Sequence, residues 1–428
     1  MREGTPSGQG DSISPFNRSA QHDAKRTAIL SQAARLFNYK GSRATTLHDI
    51  AESLGLTKTS LYYYVKTKEE LIYQCYMAAL DHHQLRLDAI ELEHADPKER
   101  IRAFIFHHFD DWLAAQEGRA PHWAVLLEIA GLQAPHREAV EQRYIEIFKR
   151  LREYIRQGIE DACFRSCEPT SVVLGILGSL DWTFSWLQRV PREDVHNTAE
   201  QALDLISNGL YAGEGCYTPL AGLRDNTGTP PLPGFNREEQ NRLKQQAFFK
   251  TGTWYFNKQG FNGTSLDEIA ERLSVSKGAF YYHIKNKEDL LFNCYLHSLD
   301  ISERIHTLAA AHPGTGLEKV EMACRHMFYV QNSEEGPLIR YNSITALPLE
   351  RRLPILERTE KANQRFGDFL HEGQQDGSVR QVNTVVAQHM IAGAINAAMD
   401  IDLWRRVESI ESAANSYFDV FFNGLLPR

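Results

Sequence analysis

Two short sets of side chains recur at one spacing, and both suit contact with a nucleic acid. The first is Thr57, Lys58, Thr59, Ser60, Tyr62, Tyr63 and Lys68. The second is Ser276, Lys277, Gly278, Ala279, Tyr281, Tyr282, His283 and Lys287. A lysine reaches a guanine edge or a phosphate. Tyrosine hydroxyls and a flanking lysine suit phosphate oxygens, which fix register without carrying sequence information. The small residues at 59–60 and 278–279 let a backbone approach bases closely. Catalytic chemistry has no comparable candidate. A phosphate-binding glycine loop, HExxH, GxSxG and paired CxxC are all missing, so no catalytic residue and no cofactor is expected. His107, His108, Asp110 and Asp111 are adjacent, and neighbours on a helix face different ways, so no metal site is expected from them. Cys163 and Cys167 lack a second Cys or His pair and read as structural.

Positioning the first set takes three helices. Ile29, Ala33, Leu36 and Phe37 share one helix face, and Gly41 ends that helix. Thr45 or Thr46 caps a second helix whose face is Leu47, Ile50, Ala51 and Leu54. Gly55 allows a tight turn, and Thr57 caps a short third helix that buries Leu61 and Val65. Helices this short are unstable alone and must bury one another. Lys58, Thr59, Ser60, Tyr62 and Tyr63 are left accessible, as in a helix-turn-helix whose second member enters the major groove. Thr46 and Ser265, at the start of the preceding helix in each copy, join the candidate DNA contacts.

The arrangement occurs twice. Shifted by 219 residues, the segment starting at Phe37 aligns without a gap on that starting at Phe256, with 20 of 45 positions identical. The chain is a duplication. The spacing predicts an all-α protein divided into a disordered leader (1–22), a first helix-turn-helix domain (23–81) and a first helical domain (82–212). A Gly/Pro linker (213–235), a second helix-turn-helix domain (236–300) and a second helical domain (301–428) follow. In the first helical domain Ile145, Phe148, Leu151, Ile155 and Ile159 mark an apolar stripe.

The formal charge is −8, yet 20–70 carries +3 and 237–289 carries +2, so two small basic patches sit on an acidic remainder. There is no apolar run long enough to span a membrane, no secretory core at the N-terminus, and six cysteines are too few for a disulfide framework. A cytoplasmic protein is expected.

TKTSLYYYVKTKEEL (57–71) and SKGAFYYHIKNKEDL (276–290) resemble the signature of the TetR family of transcriptional regulators. The resemblance implies two tandem units, each a three-helix DNA-binding domain plus a helical ligand-binding and dimerisation domain. It implies a double-stranded operator, a small effector that releases it, and repression as the expected mode of action. Family subunits pair through their last two helices. Here Asn208-Gly209-Leu210 echoes Asn423-Gly424-Leu425, and Val172–Leu187 and Val385–Trp404 look like the other interface helix. An intramolecular pseudo-dimer is therefore expected, with a homodimer of chains as the other arrangement. GILGSLDWTFSWLQRV (175–190) resembles members that answer to acyl-CoA thioesters. On that basis His108, Trp112, Trp182 and Trp186 are the candidate pocket residues, and an acyl-CoA is the first effector expected among apolar ligands. Ala397 and Ile401 stand where the Trp pair would recur, so the two pockets are expected to differ, or one of them to be non-functional. A protein–protein module that has lost DNA binding, and an enzyme, are the alternatives. Retention of the Lys and Tyr positions in both copies argues against the first.

Overall fold

The computed structural model describes residues 15–126, 129–223, 237–333, 336–399, 404, 406 and 408–428. Among them are sixteen α-helices and no strand beyond one isolated bridge between Tyr211 and Val379. No helix is long and apolar enough to cross a membrane.

The first head comprises α1 (Pro15–Lys40), α2 (Leu47–Ser53) and α3 (Lys58–Tyr62). Ile29, Ala33, Ile50, Ala51, Leu61 and Val65 are all at most 1% exposed, so the three helices bury one another as their periodicity requires. Gly41, at φ 88°, ends α1 in a left-handed conformation open to glycine. Helix α1 starts at Pro15, so 15–22, expected as disordered leader, is helical. Residues 1–14 lie outside the described residues. The second head repeats the design with α9 (Arg237–Gly263, broken at Gly260, φ 65°), α10 (Leu266–Arg272) and α11 (Lys277–His283).

The bodies comprise α4 (Lys68–Glu93), α5 (Pro97–Gln116), α6 (His136–Glu160), α7 (Pro169–Asp181) and α8 (Val195–Asn208), then α12 (Lys287–Ala310), α13 (Gly316–Gln331), α14 (Leu349–Asp376), α15 (Thr384–Ala397) and α16 (Ile410–Asn423). On α6, Phe148, Leu151 and Ile155 are buried, whereas Ile145 of the expected stripe is exposed.

Helices α7 and α8 pack on α15 and α16, and the contacts pair by an offset of 215. Arg165 donates to the Gly424 carbonyl and to the Asp419 side chain, and Arg380 donates to the Gly209 carbonyl and to the Asp204 side chain. Leu210 N–H donates to Phe421 O, and Leu425 N–H to Ile206 O. α7 and α15 cross at two glycines. A Cβ on Gly393 would lie 2.6 Å from Gly178 O and 2.5 Å from Trp182 Cβ, so the backbones meet with no room for a side chain.

The described part of the linker is pinned. Tyr217 OH and Leu220 N–H donate to Glu321, which pairs at 2.9 Å with Arg325, and Arg325 also donates to Leu220 O. Both charged residues are 1% exposed. Residues 224–236, the rest of the expected linker, lie outside the described residues.

Candidate nucleic-acid interface and effector cavities

Helices α2, α3, α10 and α11 each start at a side-chain cap. Thr46 Oγ1 accepts from Asp49 N–H, and the Asp49 carboxylate accepts from Thr46 N–H. Thr57 Oγ1 accepts from Ser60 N–H and lies 2.8 Å from Ser60 Oγ. Ser265 and Ser276 cap α10 and α11 in the same way. These four hydroxyls therefore hold the helix starts. Lys58, Thr59, Ser60, Lys277, Gly278 and Ala279 are exposed at the starts of α3 and α11. Tyr63 and Tyr282 stand out of their heads at 73% and 84% exposure. Tyr62 and Tyr281 lie beside them, exposed, and His283 packs edge-on against Tyr282.

The two lysines have different company. Lys58 Nζ lies 5.7 Å from the Tyr62 ring centre. Lys277 Nζ pairs at 2.7 Å with Asp267, which also accepts from Tyr281 OH at 3.3 Å. The hydrogen bond from Lys277 holds the Asp267 carboxyl below its ordinary range. The matching residue of the first head is His48, so the second head carries a carboxylate that the first does not. Lys287, expected to be a phosphate contact, is tied inward instead. Its Nζ donates to Thr264 O at 2.7 Å and to Asn262 O at 3.3 Å, and burial lowers its pKa. Two helix-end carbonyls and the Phe261 ring 4.9 Å away claim this ammonium, a placement set by the turn before α10 that spacing alone does not reveal. Lys68 is half-buried at the start of α4.

The heads touch. Arg43 pairs with Glu288 at 2.8 Å and lies 4.3 Å over the Phe261 ring. Each head also grips both bodies. Asn38 of α1 donates to Trp123 O and accepts from Val125 N–H, and Asn257 of α9 donates to Leu338 O and accepts from Arg340 N–H. Gly41 packs against Thr345 of the second body, and Gly260 against Ala130 and Gly131 of the first.

The segments held by these asparagines line cavities. The first, about 130 Å³, lies among α4–α7 and residues 122–126, with His108 and Trp112 in its wall. Trp182 and Trp186 are not there. α7 stops at Asp181, and the turn beyond it carries both rings toward the second half. Trp182 lines the second cavity, of about 90 Å³, edge-on to Tyr341 at 5.0 Å, and Trp186 stacks on His389 at 5.0 Å. Trp404 makes the opposite crossing, packing on Phe148 and Tyr144 of the first half. Ile401 lies outside the described residues.

His83, Tyr144 and Asp181 are among the wall residues of the first cavity that escaped the sequence reading, whereas that reading singles out Asp111 with His108. Asp111 is held by His82 at 2.6 Å and by Arg86, and these hydrogen bonds outweigh burial and lower its pKa. His108 Nε2 lies 2.8 Å from Thr183 Oγ1. Burial drives His83 and His108 down to about 4, and both are neutral near pH 7. Burial raises Asp181 to about 7. A lone acid in the apolar run GILGSLDWTF was the available signal.

Two helix-turn-helix heads on one helical body define a tandem DNA-binding regulator, and comparison with known proteins gives the same class. A profile described as "Bacterial regulatory proteins, tetR family" matches 29–75 and again 252–294, and "Tetracyclin repressor-like, C-terminal domain" matches 94–210. The chain belongs to the TetR family, as a tandem of two units. It is 26% identical over 192 residues to the HTH-type transcriptional repressor KstR2 of Mycobacterium tuberculosis, covering 44% of this chain and 94% of that protein. Among solved structures, AibR in complex with isovaleryl coenzyme A and operator DNA is 26% identical, covering 42% and 97% of the two chains, with a TM-score of 0.37. The TetR family regulator PfmR from Thermus thermophilus is 28% identical, covering 40% and 94%, with a TM-score of 0.34.

Proposed function

We propose that the protein is a cytoplasmic, sequence-specific repressor of transcription. One chain grips an operator with both of its heads, and a small, largely apolar effector filling a body cavity releases it. The observation that carries this reading is the duplicated exposed face, Lys58–Tyr63 and Lys277–Tyr282, mounted on a body whose halves pair through α7, α8, α15 and α16. The contacts of Asn38 and Gly260 support a route for release. Residues 122–126 line the first cavity and are bonded to α1, and the turn just beyond packs on the opposite head. Filling the cavity displaces this segment and changes how the heads are presented. The effector must favour the DNA-free arrangement, because equal affinity for both shifts nothing. An acyl-CoA was expected on account of Trp182 and Trp186. With both rings outside the first cavity, support for an acyl chain comes from the apolar walls, which suit any compact apolar body equally.

Selection of random duplexes, followed by footprinting and mass measurement of the complex, tests the reading. The expected operator has two related but unequal half-sites bound by one chain, because Thr59-Ser60 faces bases in one head and Gly278-Ala279 in the other. With about seven phosphates engaged, log K falls with log salt at a slope near −6, against about −3 for a single head. A strict palindrome bound by two chains refutes the pseudo-dimer, and the absence of any selected duplex refutes the regulator.

A further inference from the structure

Resting on the reading of the first cavity as the effector site, we infer that it takes a compact, mostly apolar molecule bearing a protonated amine, which pairs with Asp181. The walls are apolar over most of their area, with Leu80, Phe104, Trp112, Ile147, Leu177 and Phe184 among them. Of the polar groups, Asp111 is already satisfied by His82 and Arg86, and His108 by Thr183. Asp181 is different. It is the last residue of α7, it lines the cavity, and among the described residues it has neither a hydrogen-bond nor an ion-pair partner. The carbonyl end of a helix is a poor place for an anion. A desolvated carboxylate without a partner is costly, and proteins pair such groups or lose them.

The fold does not need this acid. By the 215-residue offset, Asp181 corresponds to Asn396, which lines the second cavity. Where the first cavity has His83 and His108, the second has Ser302 and Met327, by the 219-residue offset of α4 and α5. Two copies of one cavity thus differ in charge, and an anion is present in one only. An acid retained in an apolar cavity without a protein partner fits a cationic ligand. His83 and His108 do not supply that cation, since burial keeps both neutral. A cavity of about 130 Å³ suits a ligand of roughly benzene size with a short amine arm.

The pairing makes binding depend on pH. The titratable groups that line the cavity with Asp181 are Tyr39 on α1, His83 on α4, His108 and Asp111 on α5, His122 of the 122–126 segment and Tyr144 on α6, with Arg340 and Tyr417 of the second half behind Tyr144. Burial alone raises Asp181, to about 7. Below that pH an ammonium must displace a proton, so its affinity falls as pH falls, by about tenfold between pH 8 and pH 6. A neutral ligand of the same shape feels no such change.

Benzylamine and benzyl alcohol, titrated into the full chain by calorimetry, test this. The expected result is at least about tenfold tighter binding of benzylamine at about pH 8, with most of the preference gone at about pH 6. Asp181→Asn, which installs the residue of the second half, should abolish the preference while keeping benzyl alcohol binding, and Asp181→Glu should retain part of it. Equal affinity for the two probes, failure of either to bind, a preference that survives Asp181→Asn, or tighter binding of isovaleryl-CoA than of benzylamine overturns the inference. Release is scored separately, on a selected operator. Amine binding without release contradicts the effector reading while the amine inference stands. Release by the alcohol and not by the amine contradicts the amine inference alone.

Discussion

Asp267→Asn should strengthen the grip on DNA. In the second head the carboxylate lies 2.7 Å from Lys277 Nζ and within hydrogen-bond reach of Tyr281 OH, so it occupies two of the groups proposed to meet DNA. The pair contributes no net charge, whereas Lys58, with His48 in place of the acid, contributes one. Asparagine removes one negative charge and frees the ammonium. One further counterion is then released on binding, which steepens log K against log salt by about 0.9 and raises affinity by about eightfold near 0.1 M salt. An exposed pair of this kind adds little to stability, so the fold should be indifferent to the change. The assay is fluorescence anisotropy with a random-sequence duplex across a salt series, which needs no knowledge of the operator. His48→Asp should do the reverse in the first head. If Asp267→Asn leaves the slope within about 0.3 of the parent while Lys277→Ala flattens it, Asp267 does not mask the lysine and the reasoning fails.

Asp181→Asn should stabilise the protein more at high pH than at low. Ionisation of the folded-state group, at about 7, is penalised relative to its ordinary 3.8, so stability is lost as pH rises between these values. At about 1.4 kcal/mol per unit the gain from Asn is at most about 4 kcal/mol above pH 7, and it is about 2 kcal/mol larger at pH 8 than at pH 5.5 by urea unfolding. A gain independent of pH would mean Asp181 is not the titrating group. Asn257→Ala strips the buried hydrogen bonds to Leu338 O and Arg340 N–H and should cost about 1–3 kcal/mol, read by thermal unfolding. Gly393→Ala forces a Cβ to within 2.6 Å of Gly178 O and should cost about 1–3 kcal/mol while loosening the two halves, visible as a larger radius in X-ray scattering. An unchanged radius and stability would place the crossing elsewhere.

The heads were legible in the sequence because they are local. Helix faces, caps and the turn at Gly55 lie within a few residues of the side chains they position, and duplication doubled the signal. The cavities were not legible, because they depend on long-range packing. Residues Thr170–Leu180 of α7 are buried on every side, so periodicity assigns no inward face, and the turn after Asp181 decides that Trp182 crosses to the second half. Lys287 and Asp267 were hidden for the same reason, since their partners stand 23 and 10 residues away. What the structure adds is a consequence of fusion. In a homodimer every substitution appears twice, so an acid in one cavity entails an acid in the other. Here Asp181 faces Asn396 in the alignment, His48 faces Asp267, and Thr59-Ser60 faces Gly278-Ala279. The two cavities and the two exposed head faces have diverged within one pseudo-symmetric body. On the proposed reading, one occupied cavity acts on two unlike heads, and the contacts of Trp123 with α1 and of Ala130 and Gly131 with Gly260 give it a handle on both.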